Sequence, residues 1–206
     1  GKKVDHLLNL NGQGLEGSVE LFEADLLDQG SYDQAFSGCA GVIHAGAALG
    51  FNRETPQEVY DGCFTQNEHE FAVIGTTQGT HILDVTDPVN SYLIASIDGG
   101  STSPDVVHRD FHDYNGYLYA VADEGQSTLQ IIDISNLPNN FNVVYDSDEL
   151  IKRAHNIFID EQNAIMYVCG GRVLNEWNEL ALFSIEEPQN PIFLGKYDDV
   201  GYVHDI

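Results

Sequence analysis

Apolar and polar positions keep the two-residue rhythm of strands along most of this chain, and the rhythm recurs. It runs through FAVIGTTQGTHILDVTDP from Phe71, YLYAVADEGQSTLQIIDISNLP from Tyr117 and IMYVCGGRVLNEWNELALFSIEEPQNP from Ile165. With Asp84, Asp133 and Phe183 aligned, the separations are 133 − 84 = 49 and 183 − 133 = 50 residues, a period found in repeats built on sheets. Each copy reads as two strands around a turn. Leu118 to Val121, Leu129 to Ile134, Ile165 to Val168 and Leu180 to Ile185 are apolar runs bounded by Gly, Asn, Asp and Pro. Further β-prone segments lie upstream (Val106 to Phe111, Asn156 to Ile159) and downstream (Tyr92 to Ile97, Asn142 to Tyr145, Ile192 to Tyr197). Four short strands per repeat, unable to bury their faces alone, predict blades of a β-propeller. An antiparallel sandwich with accidental self-similarity is the alternative.

The N-terminal pattern differs. Lys2 to Leu10 has helical spacing, Ser18 to Asp28 a short strand ending in acidic residues, Ser31 to Gly38 a Ser-capped helix, and Cys39 to Ala47 a buried strand with a small-residue turn. Strand, helix, strand is the order of a βαβ unit. The predicted fold class is therefore mainly β: a partial β-propeller of about three four-stranded blades over residues 57–206, preceded by a small α/β, Rossmann-like segment over 1–56.

Both parts resemble known families. GTHILDVTDP, LQIIDISNLP, AHNIFID and GYVHDI resemble the choice-of-anchor B family of LVIVD-repeat β-propellers over about residues 57–206. That resemblance implies an extracellular or cell-surface, non-catalytic module binding a protein or small-molecule ligand at the propeller face. ADLLD and VIHAGA are similar to words of the extended short-chain dehydrogenase/reductase family. By that resemblance Asp25 and Leu26 lie at a cofactor's adenine, and His44, Ala45 and Gly46 at its sugar. An NAD(P)-dependent oxidoreductase is thus the alternative function. Two departures argue against bound NAD(P) and activity. The glycines of NGQGLEG (Asn11 to Gly17) follow a helical segment rather than a first strand, so no Gly-rich turn meets the pyrophosphate, and Tyr32 is not followed by Lys at the fourth place of Tyr-x-x-x-Lys. The two resemblances meet near Glu54 to Gly62 without a linker, and three blades and a fraction close no ring. A fragment, a chimera, noncontiguous segments or a protein completed by a second chain each account for this.

Charge narrows the partners. With 33 acidic against 8 basic residues, the formal net charge is −25. Such a field repels phosphate backbones and anionic bilayers, so nucleic acid is excluded as a partner. It also suits a salt-rich setting, where screening relieves self-repulsion. No apolar run is long enough for membrane insertion, and no signal peptide is visible in this chain. Cys39, Cys63 and Cys169 form no CxxC and read as buried thiols, with a Cys63–Cys169 disulfide as the alternative.

Histidines carry the sharpest chemistry. His108, His155 and His204 recur at 155 − 108 = 47 and 204 − 155 = 49 residues, and the first repeat offers a carboxylate, Asp61, near the matching place. Equivalent positions on the first strands of blades converge on one axis, where three imidazoles and a carboxylate would ligate zinc or a similar divalent metal. Structural hydrogen bonding between blades is the competing role for these rings. His112 and Asp113 are assigned to the turn before Tyr117. Asp84, Thr86 and Asp87, like Asp133, Ser135 and Asn136, fit turn chemistry better than a calcium loop.

Overall fold

The computed structural model describes residues 61–199 and 201–206, together with Gln34. The chain divides into two units, residues 1–46 and 47–206, and every described strand lies in the second. Gln34 is helical, inside the segment expected to form a helix. The other N-terminal expectations, including the sites at Asp25, Leu26, His44, Ala45 and Gly46, lie outside the described residues.

The architecture is mainly β. The first sheet is β1 (Asp61–Gln66), β2 (His69–Gly75), β3 (Gly79–Asp84) and β4 (Tyr92–Asp98), in that order. The second is β5 (Arg109–Tyr114), β6 (Tyr117–Ala122), β7 (Leu129–Asp133) and β8 (Asn142–Ser147). A third follows from β10 (Asn156–Asp160), β11 (Ile165–Val173), β12 (Glu176–Ser184) and β13 (Ile192–Lys196), with short β9 (Ile151–Arg153) paired to the far end of β11. All pairings are antiparallel, each sheet is a meander, and the described residues form no closed barrel. No described helix is long and apolar enough to cross a membrane.

Local chemistry sets the registers. Asn67–Glu68, Asn115–Gly116 and Leu174–Asn175 all have positive φ and each joins two paired strands as a two-residue hairpin turn. Positive φ at both positions makes the backbone twist of such a turn match that of the strands it connects. At the other end of the repeat, Asp84 Oδ1 accepts from Thr86 N at 2.9 Å and Asp133 Oδ1 from Ser135 N at 3.0 Å. These are turn-forming bonds, as the sequence led us to expect. In the third copy the same place belongs to Ser184, not Phe183: Ile165 pairs with Ser184 as Phe71 pairs with Asp84. Phe183 points into the core instead.

Side chains alternate between two seams. Phe71, Val73, Ile82 and Ala95 of the first sheet pack with Leu118, Ile132 and Ile134 of the second. Tyr119, Val121, Leu129 and Ile131 pack with Met166, Val168, Ala181 and Phe183 of the third. Neighbours such as Leu118 and Tyr119 thus enter opposite seams, because successive strand residues point to opposite faces. The middle sheet is buried on both sides, which explains its uninterrupted apolar run from Leu118 to Ala122. The first strands lie side by side, with β5 between β1 and β10.

Two local expectations need correction. Gly170 and Gly171 belong to β11 rather than to a turn, and the hairpin bends at Leu174–Asn175. Glycine is required there: Gly170 has φ +49°, and a Cβ on it would stand 2.5 Å from the Tyr202 ring. His112 and Asp113 lie within β5, where His112 pairs with Tyr119. Cys169 is a buried free thiol, as its reading from the sequence has it.

Candidate functional site

His108 and His155 stand immediately before β5 and β10, and His204 lies beyond β13 in the next copy of the pattern. Because β5 and β10 are neighbours, their leading residues meet. The His108 and His155 ring centroids are 5.6 Å apart, and those of His155 and His204 are 4.1 Å apart. Three imidazoles 47 and 49 residues apart in sequence therefore form one cluster.

Each ring is held through Nδ1 by a carboxylate. His155 Nδ1 donates to Asp123 Oδ2 at 2.9 Å, His108 Nδ1 to Glu124, and His204 Nδ1 to Asp205. Glu124 also accepts from the backbone N–H groups of Val107 and His108, both at 3.0 Å. One ligand atom from each of His155, His204 and Asp205 falls within 4.8 Å of the others, and the same is true of His108, Asp123 and Glu124. Exposure is graded across the cluster, since the side chain of His155 is 9% exposed, His108 34% and His204 61%.

Asp123 and Glu124 were not singled out in the sequence, although a signal exists. The Asn115–Gly116 turn fixes the β5–β6 register with Arg109 opposite Ala122, so the next residues outward, His108 and Asp123, must face each other. Asp123 N indeed donates to His108 O at 3.1 Å. Asp61 is placed differently. Register sets Phe64 opposite Phe71 and Tyr114 opposite Tyr117, which brings Asp61 level with Phe111 rather than with His108. Its side chain lies outside the described residues.

The floor of the cluster is fixed by Asp110. Its Oδ2 accepts from Ile157 N at 2.7 Å and Asn156 Nδ2 at 3.0 Å, tying the start of β10 to β5. Burial pushes the Asp110 carboxyl up to about 6, with Asp205 adding to the rise, against the lowering effect of hydrogen bonds from Ile157 and Phe111 and of nearby His155. Burial likewise raises the Cys169 thiol to about 11, reinforced by Asp205 and Asp110, which leaves it a poor nucleophile and metal ligand. The rim is aromatic: Tyr202 lies 6.2 Å from both His155 and His204 and stacks on Trp177 at 6.3 Å, with Arg153 5.8 Å from the Trp177 ring centre.

Among the described residues, the other histidines bond elsewhere. His69 Nδ1 meets Asp84 at 2.7 Å, His81 contacts Thr76 and Ser96, and His112 Nδ1 accepts from Ile159 N at 3.3 Å.

Comparison with known proteins bears on a limited part of the chain. A bifunctional dihydroflavonol 4-reductase/flavanone 4-reductase of Malus domestica is 43% identical over 56 residues, 27% of this chain and 16% of that protein. A dihydroflavonol 4-reductase of Arabidopsis thaliana is 44% identical over 57 residues, 27% of this chain and 14% of that enzyme. A quarter of this chain is reductase-like. Cinnamoyl-CoA reductase CAD2 of Medicago truncatula extends the pattern, at 39% identity over 56 residues, 27% of this chain and 17% of that enzyme. These relatives fall in the extended short-chain dehydrogenase/reductase family, and the chain spans about a sixth of their length. The matched length equals that of the segment 1–56 in which the sequence words of that family stand. No protein-family model matches the chain, so the LVIVD-repeat resemblance has no support beyond the repeated words themselves.

Proposed function

We propose that residues 61–206 act as a binding module, a partial propeller of stacked sheets, whose site is the three-histidine cluster and whose ligand is a divalent transition metal such as zinc. One observation carries this reading: imidazoles from successive repeats, far apart in sequence, lie within 4.1 and 5.6 Å of one another, each oriented by its own carboxylate. Structural hydrogen bonding alone would be satisfied by rings that point at neighbouring strands. Rings gathered into one cluster and tilted at 47° and 56° to one another suit a shared ion better than bonding to strands alone. Metal analysis of protein purified without chelator, before and after His155→Ala, tests the reading. About one equivalent of metal in the parent and its loss in the variant are expected. Absence of metal from both, with no uptake of added Zn²⁺ by calorimetry, overturns it.

A second reading is favoured by the relatives. The segment 1–56 derives from an NAD(P)-dependent reductase of the extended short-chain type, and retains contacts to the adenosine half of a dinucleotide through Asp25, Leu26, His44, Ala45 and Gly46. The identity of 39–44% over 56 or 57 residues supports kinship, and the sequence words locate the contacts. Calorimetric titration with NADP⁺ and NAD⁺ tests it. Micromolar binding, weakened by His44→Ala, is the expected result; no heat at millimolar nucleotide refutes it.

A further inference from the structure

We infer that this chain pairs head to tail with a second copy of itself, the free face of its third sheet taking the free face of the other copy's first sheet at both junctions. The inference rests on the reading of residues 61–206 as stacked, propeller-like sheets and needs no metal, so its failure and that of the metal reading are told apart.

Both seams inside the chain follow one rule. Each sheet has a leading face, marked by the pairs Ala72–Leu83, Leu118–Ile132 and Met166–Phe183, and a trailing face, marked by Val73–Ile82, Tyr119–Ile131 and Tyr167–Leu182. A bulge in each outer strand adds one trailing residue, because Ile94, Val144 and Leu194 stand at the same break in register. Trailing faces pack on the next leading face. Val73 and Ile82 meet Leu118 and Ile132, and Tyr119 and Ile131 meet Met166 and Phe183.

Two faces are left over, the leading face of the first sheet and the trailing face of the third. Their residues are more open than their equivalents in the seams. Tyr119, Ile131, Leu118 and Ile132 are fully buried, whereas Tyr167, Leu182, Ala72 and Leu83 are half-buried. Leu194 is 56% exposed, although Ile94 and Val144 pack into the seams. Among the described residues, no sheet covers either face.

Equivalence names the occupant. A trailing face accepts the leading face of another unit of this repeat, and the first sheet carries one that is free. Tyr167, Leu182 and Leu194 on one side, and Ala72, Leu83 and Val85 on the other, bear no charge in a chain of net charge −25. A polar contact fits as well. Tyr119 OH donates to Pro188 O at 2.8 Å across the second seam. Tyr167 takes the place of Tyr119 in the third sheet, and Pro88 follows Asp84 as Pro188 follows Ser184, so Tyr167 can donate to the Pro88 carbonyl of the second copy. Two third-sheet faces set against each other would not repeat that bond.

Closure sets the number of copies. Closed propellers hold roughly four to eight blades. One chain supplies three sheets, which is too few, and two copies supply six. A head-to-tail contact that closes makes a ring without free ends, whereas one that does not close runs on as a filament.

Sedimentation equilibrium of the full chain tests this at about 0.5 M NaCl, where screening weakens the repulsion between two copies of charge −25. Twice the chain mass is expected, with pairing that tightens as salt rises. Leu194→Glu and Leu83→Glu should each give monomers whose circular dichroism matches that of the parent. Mixed in equal amounts, they should pair again, more weakly, through the one junction whose two faces are both intact. Tyr167→Phe, which keeps the fold, removes one hydrogen bond at each junction and should weaken pairing by roughly 10- to 100-fold. A parent that stays monomeric at every salt concentration overturns the inference, whether or not zinc binds. A Leu83→Glu dimer beside a Leu194→Glu monomer would show two third-sheet faces in contact instead. Growth beyond two copies overturns the closed ring, and unchanged pairing of Tyr167→Phe overturns the seam-like geometry.

Discussion

Phe183→Ala should open the seam between the second and third sheets. Phe183 is fully buried, lies in the cluster with Tyr119, Ile131 and Val168, and meets Phe193 edge-on at 5.6 Å. Truncation of a buried Phe costs about 3–5 kcal/mol, and loss of the aromatic pair places this site toward the upper half of that range. With a urea dependence of about 2 kcal/mol per molar, the midpoint should fall by roughly 2–2.5 M. The assay is built into the chain, since Trp177 is its single Trp and lies on β12 in the third sheet. Trp fluorescence therefore follows the third sheet, while circular dichroism follows all three. Phe71→Ala, in the other seam, should lower the dichroism midpoint but move the Trp midpoint less, because stacked repeats stabilise chiefly their neighbours. A loss below about 1 kcal/mol for Phe183→Ala, or a Trp midpoint that responds more to Phe71→Ala, would refute the seam-by-seam account.

Three further outcomes can be checked with purified protein. A hydrogen bond from Thr86 holds the Asp84 carboxyl down to about 2 despite burial, with His69 contributing, so its native form binds protons less readily than the unfolded chain. The resulting stabilisation is present above about pH 4 and fades as pH falls toward 2, and Asp84→Asn should flatten that limb of a melting-temperature profile. Gly116→Ala, at φ +81° and with its new Cβ 3.2 Å from Ser135 Cβ, should cost about 1–2 kcal/mol in urea denaturation, and no loss would contradict the turn assignment. At net charge −25, the melting temperature should rise from low to high NaCl, and a flat response would argue that self-repulsion is unimportant.

The strands were legible because period-two alternation and Asn, Gly, Asp and Pro punctuation act locally. Edges were less so. β9 has only three residues and no alternation, and β11 runs through Gly170 and Gly171, which look like turn residues until Tyr202 and Arg153 are seen crowding them. Spacing alone aligns Phe183 with Asp84 and Asp133, and only the pairing of Ile165 moves that place to Ser184. Convergence of His108, His155 and His204 could be inferred from their spacing, since equal positions in stacked units must meet. Their carboxylates could not be found from spacing between copies, because Asp123 reaches His155 across a sheet boundary. Finding Asp123 and Glu124 required counting outward from one hairpin turn.

A middle sheet covered on both sides has an evolutionary corollary. Its two faces meet like surfaces of its neighbours, one through Leu118 and Ile132, the other through Tyr119 and Ile131. Duplicating that block in the gene would insert a unit whose front fits the existing back and whose back fits the existing front. Such a protein can lengthen or shorten by whole modules without redesigning an interior.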